Sequence, residues 1–265
     1  MTLKKNIIVV FLTLFYFGSL FAQNSNDHFE LPEINNKDLC ISHTGFTLSY
    51  NKNYNCPNWV AWDLTKEEVQ NTVAKRNDFF RGDTLVPPQH RVVSNDFKDT
   101  GFDRGHMCPA GDMKWSREAM SECFLMSNIC PQNSILNQQW WEHLESACRR
   151  WACQESKIFI CCGPIFDNSC PPRFTGRGGK VRVPDGFFKV ILSLQKGKEK
   201  AIGFIYRNTD ERQTMESAAT TVDNIEKITG YNFFPLLDPD IEKTVEGSYD
   251  LKKMELNILS RLKTE

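Results

Sequence analysis

The chain has no excess of positive charge. Its 265 residues carry 32 Lys and Arg against 33 Asp and Glu, a formal net charge of -1 at pH 7. Coating a polyanion indiscriminately needs a strong cationic field, so that class is excluded and any anionic partner has to be held by a local patch. Zinc signatures are missing too: there is no Cys-x2-Cys pair and no His-x3-5-His partner, which argues against a structural zinc site. No internal repeat, low-complexity tract or second long apolar run interrupts the chain, so solenoid, disordered and multi-spanning architectures fall away as well. Histidine is sparse, at five residues, and only His106 has reactive neighbours in sequence.

What is present starts with a leader. Met1-Thr2-Leu3-Lys4-Lys5 precedes an apolar run from Ile7 to Phe21, and Ala22-Gln23 follows. A short positive region, an apolar core and a small residue before a polar one predict a signal peptide over 1–22, because the run is shorter than the roughly 20 residues of a membrane span. Export to periplasm or medium is expected, with no stable membrane association after cleavage and a formal charge of about -3 once Lys4 and Lys5 are gone. An N-terminal arm is placed at 23–44 and a single domain at 45–265. All ten cysteines follow the leader; an even number in an exported chain predicts disulfides, with the pairing left open.

Alternation predicts strands at Gly45–Tyr50 and Trp59–Leu64, and Thr65-Lys66-Glu67-Glu68 reads as a capping box before a short helix. Arg76 to Arg91, with Pro87-Pro88, reads as a surface loop. A serine-capped helix is expected from Ser116 to Cys123, a short buried strand over Phe124–Ser127, and a turn from Asn128 to Ser134. Leu136, Trp140, Leu144, Ala147 and Trp151 form an apolar stripe at helical spacing. Further strands are predicted at Lys157–Cys162, Val181–Val183, Phe187–Leu194 and Ala201–Tyr206, and helices over Thr214–Thr229 and Leu251–Leu262. Antiparallel strands mixed with helices indicate an α+β fold.

The densest chemistry lies in Asp103-Arg104-Gly105-His106-Met107-Cys108-Pro109-Ala110-Gly111-Asp112. Arg offers a fixed fork of donors to phosphate oxygens, and His, whose ordinary pKa lies near neutrality, can take a proton from water. A second cluster, Ser127-Asn128-Ile129-Cys130-Pro131-Gln132, is followed by Asn137, Trp140, Leu144 and Glu145. Asn137 sits near a helix start, where its amide either caps the helix or faces a site.

Taken together and in this order, the two clusters closely resemble the DNA/RNA non-specific endonuclease family, with its endonuclease G-like and secreted bacterial members. Tyr50-Asn51, Pro57-x-Trp59-Val60-Ala61-Trp62, Gly163-Pro164-Ile165 and Val183-Pro184-x3-Phe188-Lys189 extend the resemblance from about Gly45 to Pro235. It implies a mainly antiparallel central sheet flanked by helices, carrying a ββα-metal (His-Me finger) motif. It further implies cleavage of DNA and RNA phosphodiesters to 5′-phosphate and 3′-hydroxyl ends. His106 then matches the general base, Arg104 the arginine on the phosphate, and Asn137 the one protein ligand of a Mg²⁺ for which Mn²⁺ can substitute. Glu145 matches the acid that holds metal waters. Asn128 would order the loop that carries Asn137, Arg76 stands near where the family has a second phosphate-contacting arginine, and Asp103 would brace Arg104 or the turn. Cys108 and Cys130 flank the site, where either is expected to staple the finger through a disulfide.

In a regular helix Asn137 and Glu145 stand about 12 Å apart along the axis and about 80° around it, so they share a broad side without ligating one ion. Arg173, Arg177, Lys180 and Arg182 are the candidate local phosphate patch. DNA and RNA are the expected partners, and a homodimer is left open. Two other readings stand beside this one: a phosphodiesterase for small nucleotides, and a catalytically silent, disulfide-rich binding protein.

Overall fold

A computed structural model describes residues 28–34, 39–169 and 171–255. In chain order the elements are β1 (Leu39–Ser42), β2 (Thr47–Asn51), β3 (Cys56–Thr65), α1 (Lys66–Gln70), β4 (Asp103–His106), α2 (Arg117–Glu122), β5 (Ile129–Gln132), a π-helical turn (Leu136–Trp141) running into α3 (Glu142–Glu155), and β6 (Lys157–Ile165). They continue with β7 (Phe174–Thr175), β8 (Val181–Arg182), β9 (Gly186–Ser193), β10 (Lys200–Arg207), α4 (Met215–Ala218), β11 (Ala219–Thr220), α5 (Val222–Thr229), α6 (Pro239–Glu246) and α7 (Leu251–Glu255). The predicted leader lies outside the described residues, as does the predicted last helix beyond residue 255.

Seven strands form one sheet in the order β1-β2-β3-β6-β9-β10-β11, with every pairing antiparallel. The fold is α+β, as the strand and helix pattern indicates. Both faces of the sheet are covered, which explains why β9 reads as a continuous apolar run with one lysine. Phe187 and Ile191 point to the face packed with Leu144, Ala147 and Trp151 of α3. Phe188, Val190 and Leu192 point to the other, against Val222, Ile225 and Val245 of α5 and α6. Fully burying each such side chain is worth about 1.5–3 kcal/mol. The neighbouring Cys161 and Cys162 likewise fall on opposite faces, as a period of two requires.

Several local expectations shift. Thr65 and Glu68 do form a reciprocal capping box. Part of the arm, Leu39–Ser42, is an edge strand paired to β2. The buried segment at Phe124–Ser127 does not extend. It turns through Met126–Asn128, and the strand comes one step later as β5, where the two-stranded hairpin with β4 tolerates Pro131. The single helix predicted over Thr214–Thr229 is two. Thr214 caps α4 and Thr221 caps α5, and Ala219–Thr220 between them pairs with β10.

The disulfide expected at the finger is corrected. Among the described residues Cys56, Cys108, Cys123, Cys130, Cys148, Cys153, Cys161 and Cys162 are thiols. Cys108 and Cys130 are wholly buried in the main core, where burial pushes both thiols far up and they pack as small apolar groups.

The finger is held instead by Asn128, whose side chain is completely buried. Its Oδ1 accepts the Cys108 N–H at 2.9 Å, and its Nδ2 donates to the carbonyls of Cys108 at 2.8 Å and Cys123 at 2.9 Å. Asn128→Ala would strand three buried backbone groups, and we expect a loss of about 3 kcal/mol in urea-unfolding stability. A loss under about 1 kcal/mol would show that the clamp is dispensable.

Candidate active site

The hairpin β4–β5 and the helix that follows it build one wall each of a cavity of about 330 Å³. His106, at the end of β4, and Asn137, in the π-helical turn, line it together with Arg76, Arg104 and Glu145. Five of the seven residues singled out in sequence therefore meet in one place. The other two support them: Asn128 clamps the finger, and Asp103 grips the helix.

That grip joins the two halves of the site. Asp103 Oδ2 accepts the Asn137 Nδ2–H at 2.9 Å and the Gln138 Nε2–H at 2.8 Å, while Oδ1 accepts the Ser134 hydroxyl at 2.8 Å. Partial burial pushes the Asp103 carboxyl up, but these three hydrogen bonds outweigh it and hold the group below the usual carboxylate range. Asp103 thus braces Asn137 as well, while the neighbouring Arg104 charge adds to what holds it ionised. With its nitrogen committed to Asp103, the Asn137 amide offers Oδ1 as its acceptor.

His106 is only 8% exposed, and its ring lies against Phe80 and Phe124, with centroids 5.3 and 5.0 Å away. Its Nε2 has no hydrogen-bond partner. Burial, and then the nearby Arg76 charge, push its pKa down to about 3, so the imidazole is neutral near pH 7 with a bare ring nitrogen. Arg104 stacks over Phe80, its Cζ 5.1 Å from the ring centroid. Apart from a long contact from Nη2 to the Ser94 carbonyl, its fork is uncommitted, and Nε has no partner. Gly105 between them is required by packing: any side chain there would run into Gln132 across the hairpin.

The regular-helix expectation fails at the π-helical turn. One residue added to the turn makes eight positions behave as about seven, so the offset of about 80° between Asn137 and Glu145 falls to about 20° in the opposite sense. Both then face the cavity. The same insertion moves the apolar stripe, so that Trp141, not Trp140, is the fully buried indole.

Glu145 is half-buried, and burial pushes its carboxyl up to about 7 despite the cation of Lys189. Lys189 is completely buried, and its Nζ lies 4.4 Å from the Trp141 ring centroid and 5.3 Å from that of Trp62. Arg149 also lines the cavity. It is fixed by Asp112 at 2.9 Å, which in turn accepts the Trp62 Nε1–H at 3.1 Å. Arg149 went unnoticed in sequence, although it stands four positions after Glu145 on one helix face.

An unfolded glutamate loses its proton near 4.5, whereas Glu145 keeps its own to about 7. The folded state binds more proton between those values, so this group's contribution to stability falls as pH rises from 4.5 through 7. Glu145→Gln is therefore expected to raise Tm at pH 8 and leave it unchanged at pH 4. An equal shift at both pH values would show that burial of the charge is not the cause.

The candidate phosphate patch does not assemble. Lys180 pairs with Asp96 at 2.7 Å, and Arg182 is buried between the rings of Tyr54 and Phe166. Arg177 lines a separate cavity of about 510 Å³.

Among the described residues the active cavity offers no group of three His, Cys, Asp or Glu ligands. Its oxygen donors are the side-chain amides of Asn137 and Gln138 and the carboxylates of Glu142 and Glu145. An all-oxygen, ligand-poor set suits a hard cation that keeps most of its waters, as Mg²⁺ does.

A hairpin and a helix that bring a neutral imidazole and an oxygen donor to facing walls, with arginines between them, make this a ββα-finger hydrolase fold. The chain belongs to the DNA/RNA non-specific endonuclease family, which it matches over residues 24–240. It is 31% identical to a nuclease of Nostoc sp. over 77% of this chain and 76% of that protein. It is also 31% identical to human mitochondrial endonuclease G, over 73% of this chain and 69% of that one. Among solved structures it is similar to the EndoG/EndoGI complex, with a TM-score of 0.71 and 26% identity, covering 78% of this chain and 89% of the other.

Proposed function

We propose that the protein is an exported, Mg²⁺-dependent endonuclease that cuts DNA and RNA without regard to the sugar. The observation that carries the chemistry is the neutral imidazole of His106 in the wall of the cavity that Asn137 also lines. His106 takes a proton from water as that water attacks phosphorus. The P–O3′ bond breaks, the departing 3′-oxygen takes up a proton from water, and the products carry 5′-phosphate and 3′-hydroxyl ends. Arg104 and Arg76 hold the phosphate oxygens as charge builds on them. Asn137 Oδ1 would hold the Mg²⁺, with Mn²⁺ able to substitute, and Glu145 its waters. When bound, the ion neutralises the phosphate and the leaving oxygen. Asp103 keeps the Asn137 oxygen turned toward the cavity. Export rests on the leader at 1–22.

The test is cleavage of plasmid DNA and of RNA with Mg²⁺, with EDTA as the control. Cutting of both substrates that EDTA abolishes and added Mg²⁺ or Mn²⁺ restores is the expected result. Turnover of bis-nitrophenyl phosphate without cleavage of plasmid would replace this reading with a small-nucleotide phosphodiesterase. No cleavage of any of them would leave a binding protein.

A further inference from the structure

On the face of the sheet opposite the cavity, α5 and α6 lie side by side on β10. Asp223 stands in the first turn of α5 and Glu226 one turn on, while Glu246 is the last residue of α6. One carboxylate oxygen from each of the three lies within 4.8 Å of the others. Glu246 is the inner member, only 5% exposed, and its Oε1 has no hydrogen-bond partner. Glu226 commits Oε1 to the Phe233 N–H at 2.8 Å, which leaves its second oxygen available. Asp223 reaches the end of α6: a methyl group on Gly247 would sit 3.6 Å from its Oδ2.

This grouping is electrostatically costly by itself. Burial and the neighbouring carboxylates of Glu226, Glu242 and Asp223 push Glu246 up to about 8, and no cation bears on it. Glu246 also sits at a helix C-terminus, whose exposed carbonyls make the local potential more negative still. A buried, unpartnered carboxylate oxygen aimed into a carboxylate cluster needs a proton or a cation.

We propose that Asp223, Glu226 and Glu246 form a structural Ca²⁺ site that ties α5 to α6. The donors are all oxygen, which selects a hard ion. Mutual distances within 4.8 Å fit inside a Ca²⁺ shell, and three side chains from two helices suit the flexible, carboxylate-rich coordination of Ca²⁺ better than the near-ideal octahedron that Mg²⁺ demands. Asp223 and Glu226 are half-exposed, so the ion has a way in and water can complete the shell. The site lies across the sheet from the nuclease centre and does not depend on the reading given above for that centre.

The experiment uses the full chain carrying Asn137→Ala, so that the active cavity lacks its amide donor, stripped with EGTA and titrated with CaCl₂. Calorimetry is expected to show one Ca²⁺ bound, and Tm to rise by about 5 °C or more at a hundred times Kd. Adding Glu246→Gln, or separately Asp223→Asn, should weaken binding at least about tenfold and abolish that rise. Glu246→Gln should also melt higher than its parent without Ca²⁺ at pH 7, because the folded chain no longer has to keep protonated a carboxyl that the unfolded chain ionises near 4.5. In the otherwise native chain, Glu246→Gln should leave Mg²⁺-dependent cutting unchanged. The proposal is overturned if the folded parent binds no Ca²⁺, if Glu246→Gln and Asp223→Asn keep the full rise, or if MgCl₂ produces the same rise as CaCl₂.

Discussion

His106→Ala is expected to lower the rate of DNA cleavage at saturating Mg²⁺ by at least about 10², the lower end of what a positioned general base contributes. The substitution removes the one imidazole among the described residues that line the cavity and touches neither Asn137 nor the Asn128 clamp. Metal affinity and fold should therefore survive while turnover does not. A pKa of about 3 would make a weak base, because the effective base is one whose pKa lies near the working pH. The causes of the shift resolve this. Burial away from water and the Arg76 charge disfavour the imidazolium, and a phosphodiester entering the cavity brings a negative charge that opposes both.

Two pH limbs follow. The acid limb of kcat/KM, which reports the free enzyme, should lie well below pH 6.5, and the acid limb of kcat, which reports the complex, should lie higher. The stability sign runs in the same direction. An unfolded histidine takes a proton near 6.5 and folded His106 only near 3, so stability falls as pH drops through that window, and His106→Ala should flatten the fall. Undiminished cutting by His106→Ala would sink the mechanism.

How far the site could be read from the sequence depended on how local its physics is. Asp103 to His106 carries its chemistry in four adjacent residues, and the strand that displays it needs only the pairing partner Ile129–Gln132. Continuous apolar, β-rich runs along β3, β6 and β9 marked the central sheet, because each of these strands is covered on both faces. The π-helical turn was not legible. Trp140 and Trp141 are adjacent and equally apolar, so the stripe can be drawn through either, and only packing against Phe187 and Tyr206 selects Trp141. The Asp103–Asn137 contact was hidden for a different reason. It spans 34 positions, and an aspartate beside an arginine looks like that arginine's partner until the hairpin places it over the helix. Lys189 was visible as a residue of a familiar motif, but nothing in the sequence says that a lysine will be buried between two indoles.

That hidden contact sets up the last expected result. Asn137→Ala removes the Asn137 amide oxygen from the cavity wall, and we expect a loss of at least about 10² in rate that added Mg²⁺ does not recover, since several kcal/mol of charge stabilisation depend on the ion's placement. Asp103→Asn should behave differently. It keeps the size of the side chain and leaves Asn137 in place, but an amide at 103 can donate as well as accept. The Asn137 side chain is then free to turn its nitrogen toward the cavity. Losing the partner that orients a ligand typically costs 10- to 100-fold in metal affinity, by the usual order of magnitude. The Mg²⁺ concentration for half-maximal activity should rise by about that factor, with kcat approaching the parent value at high Mg²⁺. A titration of rate against Mg²⁺ for both variants separates the two roles. If Asp103→Asn lost kcat without any change in Mg²⁺ dependence, Asp103 would be acting on the reaction itself and not through Asn137. If Asn137→Ala were restored by excess Mg²⁺, the amide would be an aid to binding, and the ion's principal ligand would have to be sought in Glu145 or Glu142 on the same wall.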